Sequence, residues 1–506
     1  MTMTHPGLPA LWVNLIWLFM LLVSLWVLFS RVPERSEHRY LLMSKIPLLG
    51  RLVHFLNASP WPLQLMKLLM VGVFLIVIYA GLQGTQIPER NLSTVMTWNL
   101  WWAGLVIAVF FTGSAWCAVC PWDALATWLV RRRLWRRAVP NNSLNLKVPK
   151  WMRNVWPALL MFMALTWFEL GVGVTNDPYA TSILALLMLV MAIVFLSVFE
   201  NKAFCHYVCP VGRTVGYYAQ LAPVELRPIN TDICANCTTL ECYHGSDTIE
   251  PCPTHLVMGT LQQNTFCTSC GNCVQSCPDN NVSWRLRSQS VEVRQDARPR
   301  WDEAWFMLGL LTLTSFHGIT MLPFWYEGIS QFGSWIGDSG RLLTSFSLGM
   351  LFIMFAPIAV YALLVFWAKK WMGDRARFTQ VFSVLAFASL PLAFSYHIAH
   401  NLNHLVREST DLIALFSNPL GTDTQPLGMM EKHERHLNMI ISQDTLFWLQ
   451  AGLMLFGFWL AMQVIRYRGY ALFAEKKLWV IPIIIFAIAI HGFDLWILSQ
   501  PMTMRM

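Results

Sequence analysis

Charged residues are scarce in this sequence. They make up 13% of its 506 positions, whereas hydrophobic residues make up 56%; soluble domains hold about 25% charged residues. The mean hydropathy is positive, at +0.47. This shortage of charge excludes an ordinary soluble domain and points to a membrane protein.

The sequence also lacks the features of a cleavable signal peptide. The first apolar run, from Leu8 to Phe29, has neither a positively charged region before it nor a small-x-small cleavage site after it. We therefore expect this run to be a retained transmembrane helix.

Long apolar runs are abundant. A bilayer core about 30 Å thick needs about 20 apolar residues per helical crossing. Ten stretches fit: 8–30, 61–82, 96–116, 154–175, 180–204, 301–325, 343–368, 378–400, 445–465 and 478–498. Many of the 25 tryptophans lie at the ends of these runs, as interfacial belts do. About ten transmembrane helices are predicted.

Basic residues orient the chain because loops rich in Lys and Arg favour the cytoplasm. Residues 31–51, 131–153, 369–377 and 466–477 hold five, eight, four and four of them, which makes 21, against six in the alternate loops. Both termini are therefore predicted outside a bacterial inner membrane. This asymmetry also accounts for the net charge of +8, so no nucleic-acid partner is expected.

Three blocks follow from this pattern. Residues 1–225 form a five-helix membrane domain, 226–298 a polar, cysteine-rich segment on the cytoplasmic side, and 299–506 a second five-helix membrane domain. The predicted fold is an all-α polytopic membrane protein with an inserted ferredoxin-like domain.

Eight of the twelve cysteines lie in two runs within the middle segment. The second run, Cys-x2-Cys-x2-Cys-x3-Cys-Pro, is the bacterial ferredoxin pattern, in which the fourth cysteine ligates the other cluster. Zinc sites use paired Cys-x2-Cys arms, and disulfides are rare on the reducing side of a membrane. Two [4Fe–4S] clusters are predicted, one on Cys234, Cys237, Cys242 and Cys277, the other on Cys267, Cys270, Cys273 and Cys252. The longer gaps of the first run leave open that Cys242 and Cys252 exchange roles.

The other four cysteines form two similar motifs at the cytoplasmic ends of two predicted helices. They are Cys117-x2-Cys120-Pro121 and Cys205-x3-Cys209-Pro210. Two such pairs at one depth indicate a third cluster, a metal site or a redox thiol pair. The alternative is that they are small helix-end residues that pack under the ferredoxin-like segment.

Two Cys-Pro motifs followed by two ferredoxin runs resemble the NapH/NosR/CcoG-type membrane polyferredoxins, over roughly residues 60–290. The resemblance implies quinol-linked electron delivery to periplasmic reductases, or a role in their maturation, and a quinol dehydrogenase-type subunit if the chain is an enzyme. The first motif here has two residues between its cysteines, where the family usually has three. No flavin-binding domain of the NosR kind is present.

Histidines are concentrated in the C-terminal half. His397, His400 and His404 fall on one narrow stripe near the outer end of the eighth helix. His317 and His491 lie in the sixth and tenth helices, and polar groups inside membrane helices are costly and usually functional. We expect these five to form an outer site for haem b, copper or a quinone, unless they only stabilise helix packing.

Electron transfer between the quinone pool or a cytoplasmic donor and a periplasmic redox partner, such as a reductase, is the function this pattern favours. The alternative is a maturation factor that supplies electrons or copper to an exported metalloenzyme. A transporter should show broken helices in matched inverted repeats, and the sequence has no clear ones.

Overall fold

The computed structural model describes residues 4–31, 33–34, 39–131, 142–372, 376–409, 412–437, 439–473 and 476–503. Most of these residues are helical, as predicted. Several arginines used to orient the chain, among them Arg35, Arg132 and Arg375, lie outside the described residues.

Ten apolar helices correspond to the ten predicted runs. They are α1 (Ala10–Phe29), α2 (Trp61–Gln83), α3 (Leu92–Thr112), α4 (Trp156–Val172), α5 (Pro178–Val198), α6 (Trp301–Ile319), α7 (Leu343–Met372), α8 (Phe378–Arg407), α9 (Gln443–Phe473) and α10 (Leu478–Ser499). In the described part of the chain, eight of them are long and apolar enough to cross a membrane, all but α4 and α6. The chain is therefore a membrane protein.

The two remaining runs form shorter helices. Helix α4 ends in a π-helical turn from Phe168 to Val172. Helix α6 has 19 residues, and the next helix, Pro323–Ile336, is bent from it by 96°. The run predicted at 301–325 ends early because Pro323 lacks the N–H that a continuing helix needs. The exact number of crossings stays a prediction.

Contacts at both ends of α4 support a crossing there. The backbone N–H of Val155 donates to Asp302, at the start of α6, over 3.1 Å. At the opposite end, Asn176 lines a pocket together with Glu89 from the α2–α3 loop. The segments that follow α3 and α5 line a second pocket together, so α3 and α5 end on the same side of the bundle. Helix α4 must therefore cross the bundle to bring the chain back to the side where α5 begins.

Two small sheets interrupt the helical fold. Strand β1 (Thr4–His5) pairs with β5 (Met502–Thr503), and β2 (Tyr40–Leu42), β3 (Val224–Pro228) and β4 (Val282–Arg287) form an antiparallel sheet in the order β2-β4-β3. These short strands add to the mostly helical fold that was predicted. Strands β3 and β4 flank the cysteine loops and satisfy backbone groups there that no helix pairs.

Helix α8 lies at the centre of the bundle. Within its apolar stretch 94% of residues are buried, against 22% in α1 and 28% in α5 and α7. The side chains of α8 therefore meet other helices rather than lipid. The histidines that α8 carries are accordingly inside the protein.

Candidate functional site

The cysteine-rich segment places its eight thiols in two adjoining groups. Cys234, Cys237 and Cys277 lie within electrostatic range of Cys242. Cys252, Cys267 and Cys270 lie within range of Cys273. The structure thus brings the fourth cysteine of each run to the other run's group, in the arrangement that two-cluster ferredoxins use.

Backbone and amide N–H groups point at the sulfurs of both groups. Leu256 N donates to Cys252 Sγ over 3.3 Å, and Asn281 N donates to Cys277 Sγ over 3.4 Å. The side-chain amide of Asn281 donates to Cys234 Sγ over 3.3 Å. Hydrogen bonds to sulfur stabilise thiolates and adjust the reduction potential of a bound cluster.

The four remaining cysteines converge on one pocket at the ends of α3 and α5. Cys117, Cys120, Cys205 and Cys209 line a cavity of about 550 Å³, including its mouth, and Cys270 of the segment lines it as well. Gly212 N donates to Cys209 Sγ over 3.3 Å. The two Cys-Pro motifs therefore form a single site, next to the second cysteine group.

Cations surround this four-cysteine pocket. Lys67, Lys202 and Arg213 line it with a single carboxylate, Asp123, whose Oδ2 lies 2.5 Å from Lys202 Nζ. Burial lowers the pKa of Lys202, but the charges of Asp123 and Cys205 outweigh it and raise this pKa overall. Four thiolates around a metal cluster form an anion, so a cationic lining suits that occupant.

Burial keeps these thiols neutral in the absence of metal. It is the main factor that raises the pKa of Cys117 to about 12, followed by the charge of Cys209. It also raises the pKa of Cys267 to about 11. Metal binding at both places would release the thiol protons.

Hydrogen bonds hold the segment on the four-cysteine pocket. Ser114 Oγ lies 2.8 Å from Ser269 Oγ, and Lys202 N donates to Pro253 O over 3.1 Å. Arg213 donates to Thr265 O over 2.8 Å. A Cβ on Gly216 would lie 2.0 Å from this same carbonyl oxygen, so only glycine allows the close approach.

A second, polar pocket, called the outer pocket after its predicted side, lies at the helix ends opposite the four-cysteine pocket. His317 and His404 line it with Glu169 and Asn401, in a space of about 730 Å³ that includes its mouth. His317 Nδ1 is 3.5 Å from Glu169. The ring of His400 lies 5.1 Å from both His317 and His404, centre to centre. Three of the five predicted histidines are thus brought together.

The other two histidines have separate partners. His397 Nδ1 lies 3.1 Å from the Tyr218 hydroxyl, and His491 Nε2 lies 3.0 Å from Met454 O. Among the described residues no group of three His, Cys, Asp or Glu is placed to hold a single metal ion. The geometry therefore does not favour the expected copper site.

Aromatic side chains connect the two pockets. Trp122, beside Cys120, lies 5.5 Å from Trp101, which lies 5.9 Å from Trp102. Trp102 lies 5.7 Å from the ring of His397 and also lines the outer pocket. Trp101, Trp102 and Trp122 line an apolar pocket, together with Glu169, in a space of about 660 Å³ that includes its open mouth.

Sequence reasoning missed the charged lining of the four-cysteine pocket. Lys67 is a lone lysine inside the apolar run of α2, a signal that membrane helices rarely carry without a reason. Asp123 and Arg213 each lie three or four residues beyond a motif cysteine. From the sequence, Glu169 is a weak quinone-site candidate whose simpler explanation is solvation at a helix end, and only the fold brings it to His317.

One family model matches the part of the chain that carries the two Cys-Pro motifs. A family model described as a 4Fe-4S binding domain matches residues 94–138 and 182–221. These ranges contain Cys117, Cys120, Cys205 and Cys209, and they end before the ferredoxin-like segment.

Two relatives share parts of the sequence. The protein YccM of Escherichia coli (strain K12), whose name assigns it to electron transport, is 27% identical over 130 residues, which are 25% of this chain and 34% of YccM. The uncharacterized protein MJ0749 of Methanocaldococcus jannaschii is 22% identical over 255 residues, which are 50% of this chain and 92% of MJ0749. No solved structure matches. Together with the family match, these similarities support an iron–sulfur electron-transfer protein.

Proposed function

We propose that this iron–sulfur protein carries electrons between the cytoplasmic side of a bacterial inner membrane and the membrane interior, for delivery to a redox partner outside. The observation that carries the proposal is the position of Cys270. This residue belongs to the second cysteine group of the segment and also lines the four-cysteine pocket at the membrane helices.

Three groups of four cysteines would then hold the cofactors. The two groups of the segment fit the two predicted [4Fe–4S] clusters, since each has four thiols and N–H donors aimed at sulfur. The membrane pocket fits a third cluster, because its four thiols do not converge on a single ion and its lining is cationic. When bound, such clusters accept and release one electron at a time.

The protein residues determine where these electrons can go. Arg131 pairs with Glu250 over 2.6 Å, and with the Ser114–Ser269 contact this fixes the segment on the membrane helices. Lys67, Lys202 and Arg213 balance the negative charge of the pocket.

A quinone is the partner we propose for the membrane-embedded part. The apolar cavity lined by Trp101, Trp102 and Trp122 offers flat aromatic walls beside Val211, close to Cys209.

Haem b is less well supported, because His397 and His491 each bond elsewhere. Copper delivery is less well supported, because no group of three His, Cys, Asp or Glu among the described residues is placed to hold a single ion; a maturation role through the supply of electrons stays the alternative. The NapH/NosR resemblance and the identity of the outer partner stay predictions.

Iron content tests the cluster assignment. Anaerobically purified protein should contain about 12 irons per chain if all three groups hold a [4Fe–4S] cluster. Replacing Cys117 and Cys205 together by serine should lower this to about eight and remove one EPR signal. Iron should be measured alongside sulfide and zinc.

Two outcomes would contradict this assignment. Zinc without iron would exclude clusters altogether. About eight irons in both the native protein and the double variant would leave the membrane pocket as a thiol site, with clusters in the segment alone.

Topology is tested by reporters. A reporter fused after Ser288, at the end of β4, should be active only in the cytoplasm, because the basic loops face that side. A second fusion after Asp338 should be active only outside. The reverse pattern would invert the orientation and the direction in which the pockets face.

A further inference from the structure

A carboxyl group is buried without charge compensation inside the C-terminal helices. Asp494 of α10 has no exposed surface. Its Oδ1 accepts a hydrogen bond from Ser315 of α6 over 2.6 Å, and its Oδ2 has no hydrogen-bond partner among the described residues. Burial of an unpaired carboxylate is so costly that the group takes up a proton instead.

Tyr396 of α8 lies next to this carboxyl group. It is fully buried, it lies within electrostatic range of Asp494, and its hydroxyl has no hydrogen-bond partner among the described residues. A Cβ on Gly318, one turn after Ser315, would lie 1.8 Å from that hydroxyl. Two unsatisfied polar groups therefore face one small region between α6, α8 and α10.

A series of rings leads from Tyr396 to the outer pocket. The ring of Tyr396 lies 5.9 Å from that of His400. His400 lies 5.1 Å from His317, which lines the pocket beside Glu169. Imidazole can accept a proton at one nitrogen while it donates from the other, so it suits proton transfer along such a series.

The other helices packed on α10 bring no ion partner to Asp494. Helix α1 carries no titratable side chain, and Tyr361 of α7 donates to Phe382 O. In α9 the acidic and basic residues lie at the two ends. On α10 itself, His491 bonds to Met454 O. Among the described residues, the interactions found for Asp494 are with Ser315 and Tyr396, whereas Nδ1 of His491 has no hydrogen-bond partner.

We propose that Asp494 is a proton-holding group that exchanges its proton with the outside through Tyr396, His400 and His317. In each exchange the O–H bond of the carboxyl breaks as a new O–H bond forms on Tyr396, and the original O–H bond of Tyr396 breaks as an N–H bond forms on His400. His400 passes a proton to His317, which releases one to water in the outer pocket; the reverse sequence reloads the carboxyl. This inference does not depend on which cofactors the cysteines hold.

Infrared spectroscopy of the full-length protein in lipid nanodiscs tests it. A protonated, buried carboxyl gives a C=O band that shifts when H2O is replaced by D2O. Asp494→Asn should remove one such band. Glu303→Gln, at a buried carboxyl that bonds to Gln263 at the other end of α6, should leave that band in place.

The exchange rate then tests the route. In the native protein the Asp494 band should shift soon after mixing with D2O. In His400→Gln or His317→Gln the shift should wait for local opening of the bundle, which takes minutes to hours. His491→Gln is the matched control, since this histidine is a neighbour of Asp494 that lies outside the series, and it should exchange like the native protein.

Three results would overturn the proposal. In the first, Asp494→Asn removes no carboxyl band from the native spectrum. In the second, the native band exchanges only over hours. In the third, exchange is unchanged in both His400→Gln and His317→Gln. Monodisperse elution of each variant, with native iron content, establishes that it is folded.

Discussion

Replacing Cys270 by serine should remove about four irons per chain and uncouple the cysteine-rich segment from the membrane pocket. Serine is a poor ligand for iron–sulfur clusters, and Cys270 is the segment cysteine that lines the four-cysteine pocket. We expect electrons supplied to the segment by a soluble reductant to reach the first cysteine group but no longer the membrane pocket. Iron analysis and EPR after stepwise reduction measure both effects.

Cys237→Ser is the matched variant, because Cys237 belongs to the first cysteine group. The backbone N–H groups of Leu240 and Thr239 lower the pKa of its thiol. It should lose the same amount of iron but still allow reduction of the membrane pocket. Equal reduction of that pocket in both variants would refute the role given to Cys270.

Replacing Arg287 by methionine should destabilise the cysteine-rich segment by about 3–5 kcal/mol, the usual cost of removing one partner from a buried ion pair. Arg287 Nη1 lies 2.8 Å from Glu225 and also contacts Glu292, which is 1% exposed. The guanidinium further donates to the carbonyls of Ala219 and Ala222, after the helix Pro210–Tyr218. Without it, the buried Glu292 keeps Arg227 but loses one of its two cationic partners, and the two carbonyls lose this donor.

Urea titration followed by the loss of iron–sulfur absorbance measures this effect. Arg285→Met is the control: its guanidinium also bonds Glu225, over 2.6 Å, but it is partly exposed and Glu225 keeps Arg287 and Arg227. It should cost about 1 kcal/mol or less, as exposed pairs do. Equal midpoints for the two variants would show that the buried network does not hold the segment together.

The cysteine chemistry was readable from the sequence because its spacing is local. Cys267, Cys270 and Cys273 fall within a few residues of one another, so the grouping needs little knowledge of the fold. The repeat of the Cys-Pro motifs likewise predicted a common depth. That the two pairs share one pocket with Lys67 and Cys270 depends on how α2, α3 and α5 pack, which no local pattern encodes.

Helix runs were predictable from hydropathy, but their ends were not. Hydropathy extended the sixth run to residue 325, although Pro323 begins a separate helix at a sharp bend. The histidine stripe of α8 was a correct reading of helix period. The neighbouring helices place His397 against Tyr218 and His404 in the outer pocket, which the helix period alone does not predict. They also bring Glu169 close to His317.

The contact between Cys270 and the membrane pocket has a consequence for biogenesis. Once Ser114 meets Ser269 and Lys202 meets Pro253, the loop that carries Cys267, Cys270 and Cys273 is closed against the helices. Iron–sulfur assembly factors must therefore load this loop before the segment settles on the bilayer-embedded part. A cell short of such factors would accumulate chains that are inserted correctly but whose cysteine-rich segment stays detached and open to proteases.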